Sequence, residues 1–337
     1  MSSSVSSTSA PLGYRLPGTL VPLRYKLQLQ VDPSLDTFSG RVRILLRGNP
    51  PKGGADGTTS DALSQIVCNI DPELTVSHAQ VFVLPTLPPG KAATADFDSV
   101  TQQDRRVVDV GATRVDIEHQ LLIIDLLQPI SLNAAMQERV LVDLVFQGTL
   151  NREMLGLYRS QTKDLDGNNV NMLVTQFESV SARRCFPCWD EPALKAIFSI
   201  ELITPAPYVV LSNTDEVTRF NAHNSSWIVH QFADTPPMST YLVAFVVGDM
   251  ESIEATAPVS GIRMRCWTRR GMSWSAQFAL DVACKAMDFY TDWFGLAYPL
   301  GKCDLIAIPD FEAGFVQHTG THRVDVCYCF SHAMFSA

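Results

Sequence analysis

The stretch LRYKLQLQV, residues 23–31, decides what kind of chain this is. Leu23, Tyr25, Leu27, Leu29 and Val31 alternate with Arg24, Lys26, Gln28 and Gln30. A period of two puts every apolar side chain on one face of a strand and every polar one on the other, so the segment reads as a half-buried β-strand. The same period recurs at Val42, Ile44 and Leu46, and again at Val140, Val142, Leu144 and Phe146. Residues 121–127 (LLIIDLL) and 241–247 (YLVAFVV) are near-continuous apolar runs, the pattern of strands covered on both faces. Between the strands, residues 49–60 and 84–106 concentrate Pro, Gly and small polar residues and read as exposed loops. No internal repeat is visible.

The pattern changes near residue 255. Residues 274–294 (WSAQFALDVACKAMDFYTDWF) space Phe278, Val282, Ala286, Phe289, Tyr290 and Trp293 by threes and fours, which predicts a helix with one apolar stripe. Gly295 and Pro299 supply the stop. A short buried strand, Asp304 to Ile308, follows. The chain therefore reads as a mainly β module followed by the beginning of an α+β module. One helix and one strand are too little to bury each other's apolar faces, so this second module is expected to be incomplete.

Composition narrows the function classes. A chain of 337 residues exceeds one ordinary core and suggests about two domains. With 46% hydrophobic and 18% charged residues it carries no mark of global disorder. A net charge of −9 argues against a nucleic-acid partner, which requires a basic face. Residues 1–14 are Ser-rich, with neither a basic start nor an apolar centre, so they read as a disordered tail and not as a secretory signal. The longest apolar run, Tyr241 to Val247, is far short of the ~20 residues a membrane span needs, and no membrane partner is expected. Eight cysteines without a signal peptide read as reduced thiols in a cytoplasmic protein. Cys185 and Cys188 are spaced as a Cys-x-x-Cys pair but have no second pair nearby, and are taken as structural thiols.

The end of the last strand is the place to look for chemistry. In LIAIPDFEAGFVQHTG, residues 305–320, an apolar strand runs out into a loop with two glycines, Gln317 and His318. Asp310 and Glu312 come before Gly314, and no acid follows within the loop. A rigid strand aims such a loop, which is why binding residues collect there.

Three longer stretches carry a family likeness. They are LVTQFESVSARRCFPCWDE at 173–191, TPPMSTYLVAFVVGD at 235–249, and FALDVACKAMDFYTDWFGLAYPLGKCDLIAIP at 278–309. With Arg15-Leu-Pro near the start, the chain from about Arg15 to Gly314 resembles the M1 (gluzincin) zinc aminopeptidases, in particular the puromycin-sensitive type. The resemblance implies a saddle-like β-sandwich over residues 15–254 and the incomplete start of an α+β, thermolysin-like catalytic domain over 255–337. It also implies an activity, removal of single residues from free peptide N-termini. The family's cofactor is zinc, held by a His-Glu-x-x-His helix and a later Glu. Two His at i and i+4 share a helix face, and the metal lowers the pKa of its water to about 7.

Site residues follow from the likeness one by one. Gln176 and Glu178 stand where the family's Gln-x-Glu lines the first specificity pocket, its Glu pairing with the substrate's α-ammonium. A buried ammonium requires such a partner. On the residues alone the two would be only the polar face of a strand. Gly314, Phe315, Val316, Gln317 and His318 fall where the family's Gly-Ala-Met-Glu-Asn loop lies along the peptide as an added strand, and Ala313, just before them, is counted with the substrate-binding residues. Gln317 stands in place of that loop's acid, and a neutral acceptor binds an ammonium less well than a charged one. No His-Glu-x-x-His occurs among the 337 residues. The reading is therefore a substrate-anchoring part with peptide N-termini as partners, no catalytic residue and no metal ligand, and inactive as given. The alternative is a non-catalytic module that binds peptides or another partner.

Two further clusters stand out in the sequence. His318, His322, Cys327, Cys329 and His332 could be drawn as a tetrahedral site, but Gly320 separates the two first histidines and Cys-x-Cys is tight for zinc. Arg183 and Arg184, close to Asp190 and Glu191, are expected to make internal ion pairs.

Overall fold

The computed structural model describes residues 15–49, 62–84, 105–132, 138–222 and 226–309, and the backbone of 327–329. The expected tail at 1–14 and nearly all of the two expected loops lie outside the described residues.

The strands are, in chain order, β1 (Leu20–Gln30), β2 (Thr37–Gly48), β3 (Leu63–Asn69), β4 (Thr75–Leu84), β5 (Arg106–Val108), β6 (Val110–Asp116) and β7 (Leu121–Ile130). Then come β8 (Arg139–Thr149), β9 (Gly156–Lys163), β10 (Asn169–Gln176), β11 (Ile197–Pro205), β12 (Val209–Ser212), β13 (Glu216–Asn221) and β14 (Trp227–Phe232). The series ends with β15 (Phe245–Gly248), β16 (Met250–Thr256), β17 (Arg263–Arg269), β18 (Lys302–Ala307) and β19 (Cys327–Cys329), with the helix α1 (Gln277–Phe294) between β17 and β18.

Most of these strands build a sandwich. One sheet has the order β13-β14-β11-β1-β2-β8-β4-β5, a second β12-β15-β10-β9 and a third β3-β7-β6. The period-two reading of β1 holds: Tyr25, Leu27 and Leu29 are fully buried. They meet Leu122 and Ile124 of the third sheet, and Leu173, Phe177 and Val247 on and beside the second, in one continuous core. Tyr25 stacks flat on Phe198 with ring centroids 4.7 Å apart, and its hydroxyl accepts the Trp189 N–H at 3.0 Å. The continuous run in β7 is two-sided as expected, because Leu121 and Ile123 form a second small core with Val67 on the opposite face.

The other continuous run is not one strand. Residues 240–242 make a 3-10 turn, and β15 begins only at Phe245. Asn213 explains the break: its amide donates to the Leu242 carbonyl at 2.9 Å and its oxygen accepts the Ala244 N–H at 2.9 Å. A side chain thus satisfies the backbone groups that a neighbouring strand would otherwise pair.

The second module is fuller than the sequence reading expected. β16 and β17, neither of which was anticipated, join β18 and β19 in a four-stranded sheet of order β16-β17-β18-β19. β17 and β18 run parallel, and α1 is the crossover between them. One face of this sheet, with Met264, Cys266, Cys303 and Leu305, packs under α1. The expected boundary between residues 254 and 255 falls inside β16.

Helix α1 carries two apolar faces, and the buried one is not the one expected. Leu280, Cys284 and Met287 are buried against the sheet, whereas Phe278, Val282, Phe289 and Trp293 are exposed. Gly295 closes the helix at φ 61°, a left-handed cap that glycine adopts without strain. Among the described residues no helix is long and apolar enough to cross a membrane.

Candidate peptide-anchoring site

Strand β10 is two-faced in a way that matters for Gln176. Leu173 points into the main sandwich core. Met172 and Val174 point the other way, into a separate core with Tyr158, Leu211, Val246, Ile306 and Ile308. Alternation puts Gln176 on the Met172 and Val174 face, where it is buried. Thr175, fully buried, fixes the strand laterally by accepting the Phe245 N–H at 3.0 Å.

The cross-strand neighbour of Gln176 is Gly156. Its φ is +72°, and a Cβ there would come within 2.5 Å of Asn151 Nδ2 and 2.8 Å of Arg184 Cβ. Only glycine suits both the conformation and the space. Glu178 lies just past the end of β10 and is exposed, and its peptide bond to Ser179 is cis.

The chain after Glu178 is tied down firmly. The Ser181 N–H donates to the Phe177 carbonyl at 2.8 Å. Arg183 Nε donates to Asp190 Oδ2 at 3.0 Å, and the Asp190 side chain is fully buried. Asp190 also accepts the Thr240 hydroxyl at 2.6 Å. The expected internal ion pairs are thus present for Arg183. Arg184 instead reaches Glu153 at 3.0 Å and Asp71 at 3.7 Å, and Glu191 accepts the Leu16 N–H at 2.8 Å.

Cys68, Cys185 and Cys188 are free and buried. Burial pushes the Cys68 thiol up to about 12 and raises the Cys185 and Cys188 thiols as well, which leaves them as unreactive packing groups. Among the described residues no three or more His, Cys, Asp or Glu side chains come together as a metal site would need.

Strand β18 brings the second module onto the same surface. Ile306 and Ile308 pack against Met172 and Val174, so β18 lies over the sheet face that Gln176 shares. A buried charge cluster fixes it there. Asp304, fully buried, accepts from Arg265 Nη2 at 2.8 Å, from Trp267 Nε1 at 3.1 Å and from the Lys302 ammonium. Arg265 and Lys302 overcome the desolvation that would raise the Asp304 carboxyl, and hold it below its ordinary range. Burial pulls the Lys302 ammonium below its usual range despite Asp304. Sequence reasoning passed over this cluster, although Lys302 and Asp304, one residue apart in an apolar strand, are the visible signal.

The structure thus places Gln176, buried, at the end of β10 and Glu178, exposed, two residues beyond it. Ala313, Gly314, Phe315, Val316 and Gln317 lie outside the described residues, as do His318, His322 and His332. Cys327 and Cys329 fall on β19, which pairs with β18.

Comparison with known proteins agrees with this architecture. Residues 91–242 match the Peptidase M1 N-terminal domain. Aminopeptidase M1-A of Oryza sativa subsp. japonica is 37% identical over 306 residues, 91% of this chain and 31% of that protein. Puromycin-sensitive aminopeptidase of Caenorhabditis elegans is 43% identical over 192 residues, 57% of this chain and 20% of that protein. Aminopeptidase N of Bos taurus is 31% identical over 313 residues, 91% of this chain and 30% of that protein. The chain spans less than a third of the length of these relatives. With that domain at its centre and M1 aminopeptidases aligned over most of its length, the chain belongs to the M1 aminopeptidase family.

Proposed function

We propose that this chain is the substrate-anchoring part of an M1-type aminopeptidase, and that it recognises the free N-terminus of a peptide. Glu178 pairs with the α-ammonium, Gln176 lines the pocket for the first side chain, and residues 313–317 lie along the peptide backbone. The observation that carries this reading is the packing of Ile306 and Ile308 on the Met172 and Val174 face. It lays the strand that leads into residues 313–317 over the sheet from which Gln176 and Glu178 extend.

Peptide-bond cleavage is not assigned to these 337 residues. They contain no His-Glu-x-x-His, and the described residues assemble no ligand set that fits zinc. In the relatives named as aminopeptidases, most of the chain lies outside the aligned part. The domain division proposed here is a saddle over 15–254 and the start of a catalytic domain over 255–337. The buried, free state of the six described cysteines supports a reducing, cytoplasmic location, which fractionation of tagged protein would check.

The test is paired. The chain is incubated with aminoacyl-amide substrates and zinc, and its binding to a short peptide is titrated with the N-terminus free or acetylated. The reading expects binding that acetylation weakens, and no turnover. Turnover, or binding indifferent to acetylation, would refute it.

A further inference from the structure

A cleft of about 390 Å³ crosses one end of the large sheet, on the face turned away from the core. Four adjacent strands, β1, β2, β8 and β4, each contribute one polar residue to its floor. The ladder aligns Gln30 with Ser39, Ser39 with Gln147, and Gln147 with Thr75. At ~4.8 Å between strands this row is about 14 Å long. Alternation fixes its direction, because the chain neighbours Leu29, Phe38 and Phe146 are buried in the sandwich. Trp227, at the start of β14, lines the cleft from beyond the β1 end of the row. Asp32, just after β1, and Glu73, just before β4, line it as well. Every lining residue belongs to the sandwich, so the cleft is complete within residues 30–227.

We propose that this cleft binds a neutral saccharide. Its volume is that of a small-molecule site, but such sites are mostly apolar, and this floor is built of amides and hydroxyls. Lipids and other apolar ligands therefore fit it poorly. The only charged lining residues are Asp32 and Glu73. Both are acidic, so a phosphate or carboxylate ligand meets like charge. A peptide laid down as an added strand is also disfavoured. β1, β2 and β8 are paired on both sides, and the floor offers side chains but no open backbone edge.

A sugar ring matches each wall in turn. Its hydroxyls donate and accept, as do the amides of Gln30 and Gln147 and the hydroxyls of Ser39 and Thr75. Carboxylates accept from hydroxyls in the stronger, charge-assisted bonds that Asp32 and Glu73 can supply. Asp32 is held in place beforehand, its Oδ1 accepting the Ser34 N–H at 2.8 Å and the Ser34 hydroxyl at 2.7 Å. The C–H face of a sugar carries slight positive charge and rests on the negative face of an indole, the role assigned to Trp227. Four rigid strands set the spacing of the floor, so little order has to be gained on binding.

The experiment is saturation-transfer NMR on the full chain with cellobiose, maltose, lactose and diacetylchitobiose, in the parent and in Gln147→Ala and Trp227→Ala. Inorganic phosphate is added as a competitor. The expected result is millimolar or tighter binding of at least one disaccharide. Binding should weaken about threefold or more in Gln147→Ala and about tenfold in Trp227→Ala, and phosphate should not compete. Gln147 is exposed, so its variant should melt with the parent and keeps the test decisive even where loss of the half-buried Trp227 lowers the melt. No binding of any of the four, binding that both substitutions leave unchanged, or displacement by phosphate would overturn the proposal.

Discussion

The ammonium of Lys302 donates to the carbonyl of Ser212 at 2.6 Å, across 90 residues of sequence. Ser212 ends β12, an edge of the sheet that also contains β10, and Lys302 begins β18. One buried hydrogen bond therefore ties the strand that carries Gln176 into the same unit as the strand that leads to residues 313–317. Asp304, on the same strand, holds the cluster together by accepting from Lys302, Arg265 and Trp267.

Removing Asp304 should be among the costliest single changes in the chain. Asp304→Ala leaves Lys302 buried without its counter-charge and Arg265 without its bidentate partner, and a broken buried pair costs about 3–5 kcal/mol. Lys302→Met also breaks the pair but replaces a buried charge with an apolar chain of similar length, and should cost less. Urea unfolding of both variants checks the order. A smaller loss for Asp304→Ala than for Lys302→Met would contradict the role of the cluster.

Gly156 is the second test. Gly156→Ala forces a Cβ into φ +72° and against Asn151 and Arg184. The backbone term is about 1–2 kcal/mol and overpacking adds about 1–3 kcal/mol. Because Gly156 is the ladder partner of Gln176, peptide binding should fall with stability. Gly18→Ala serves as the control, since nothing lies within 4 Å of a Cβ at that position. Equal stability for both alanine variants would remove the argument for Gly156.

Acid should destabilise the sandwich through His230. The ring is 1% exposed, with Nδ1 2.7 Å from Glu216 Oε1 and Nε2 3.3 Å from the Thr204 hydroxyl. A neutral ring satisfies both partners, donating from Nδ1 and accepting at Nε2. Burial holds the folded pKa below the ordinary 6.5, although Glu216 pulls it upward. As pH falls through 6.5 the unfolded chain therefore takes up a proton before the folded one does. Stability is constant above that point and declines below it, by at most about 1.4 kcal/mol per pH unit. Unfolding midpoints at pH 7.5 and 5.5 should differ in the parent, and differ less in His230→Gln. A steeper pH dependence in the variant would contradict the assignment.

How far the sequence could be read depended on whether the signal was local. The alternation at Tyr25, Leu27 and Leu29 and the two-sided run at 121–124 described strands correctly, because a period of two is a property of the segment itself. β17 offered the same signal, with Met264, Cys266 and Thr268 buried and alternating with Arg263, Arg265, Trp267 and Arg269, but a dry face of three residues that includes a threonine is a weaker mark than that of β1, and the strand was passed over. Helix α1 was visible, but which of its two apolar faces would be buried was not. That choice belongs to the sheet beneath it, where Leu280, Cys284 and Met287 meet Met264, Cys266, Cys303 and Leu305. Gln176 and Glu178 could be singled out only through the family likeness. The need for glycine at position 156 arises from Asn151 and Arg184, contacts that no local pattern discloses.

The central claim is that Glu178 pairs with the free ammonium of a bound peptide. The most direct measurement is a binding cycle by calorimetry, with parent and Glu178→Gln each titrated with one peptide, free and N-acetylated. A charge-assisted pair that is lost on acetylation should weaken binding to the parent by about tenfold or more. In Glu178→Gln that acetylation penalty should shrink to near unity, with the thermal melt unchanged because Glu178 is exposed. An equal penalty in both proteins would show that the ammonium is held elsewhere, and would contradict the claim.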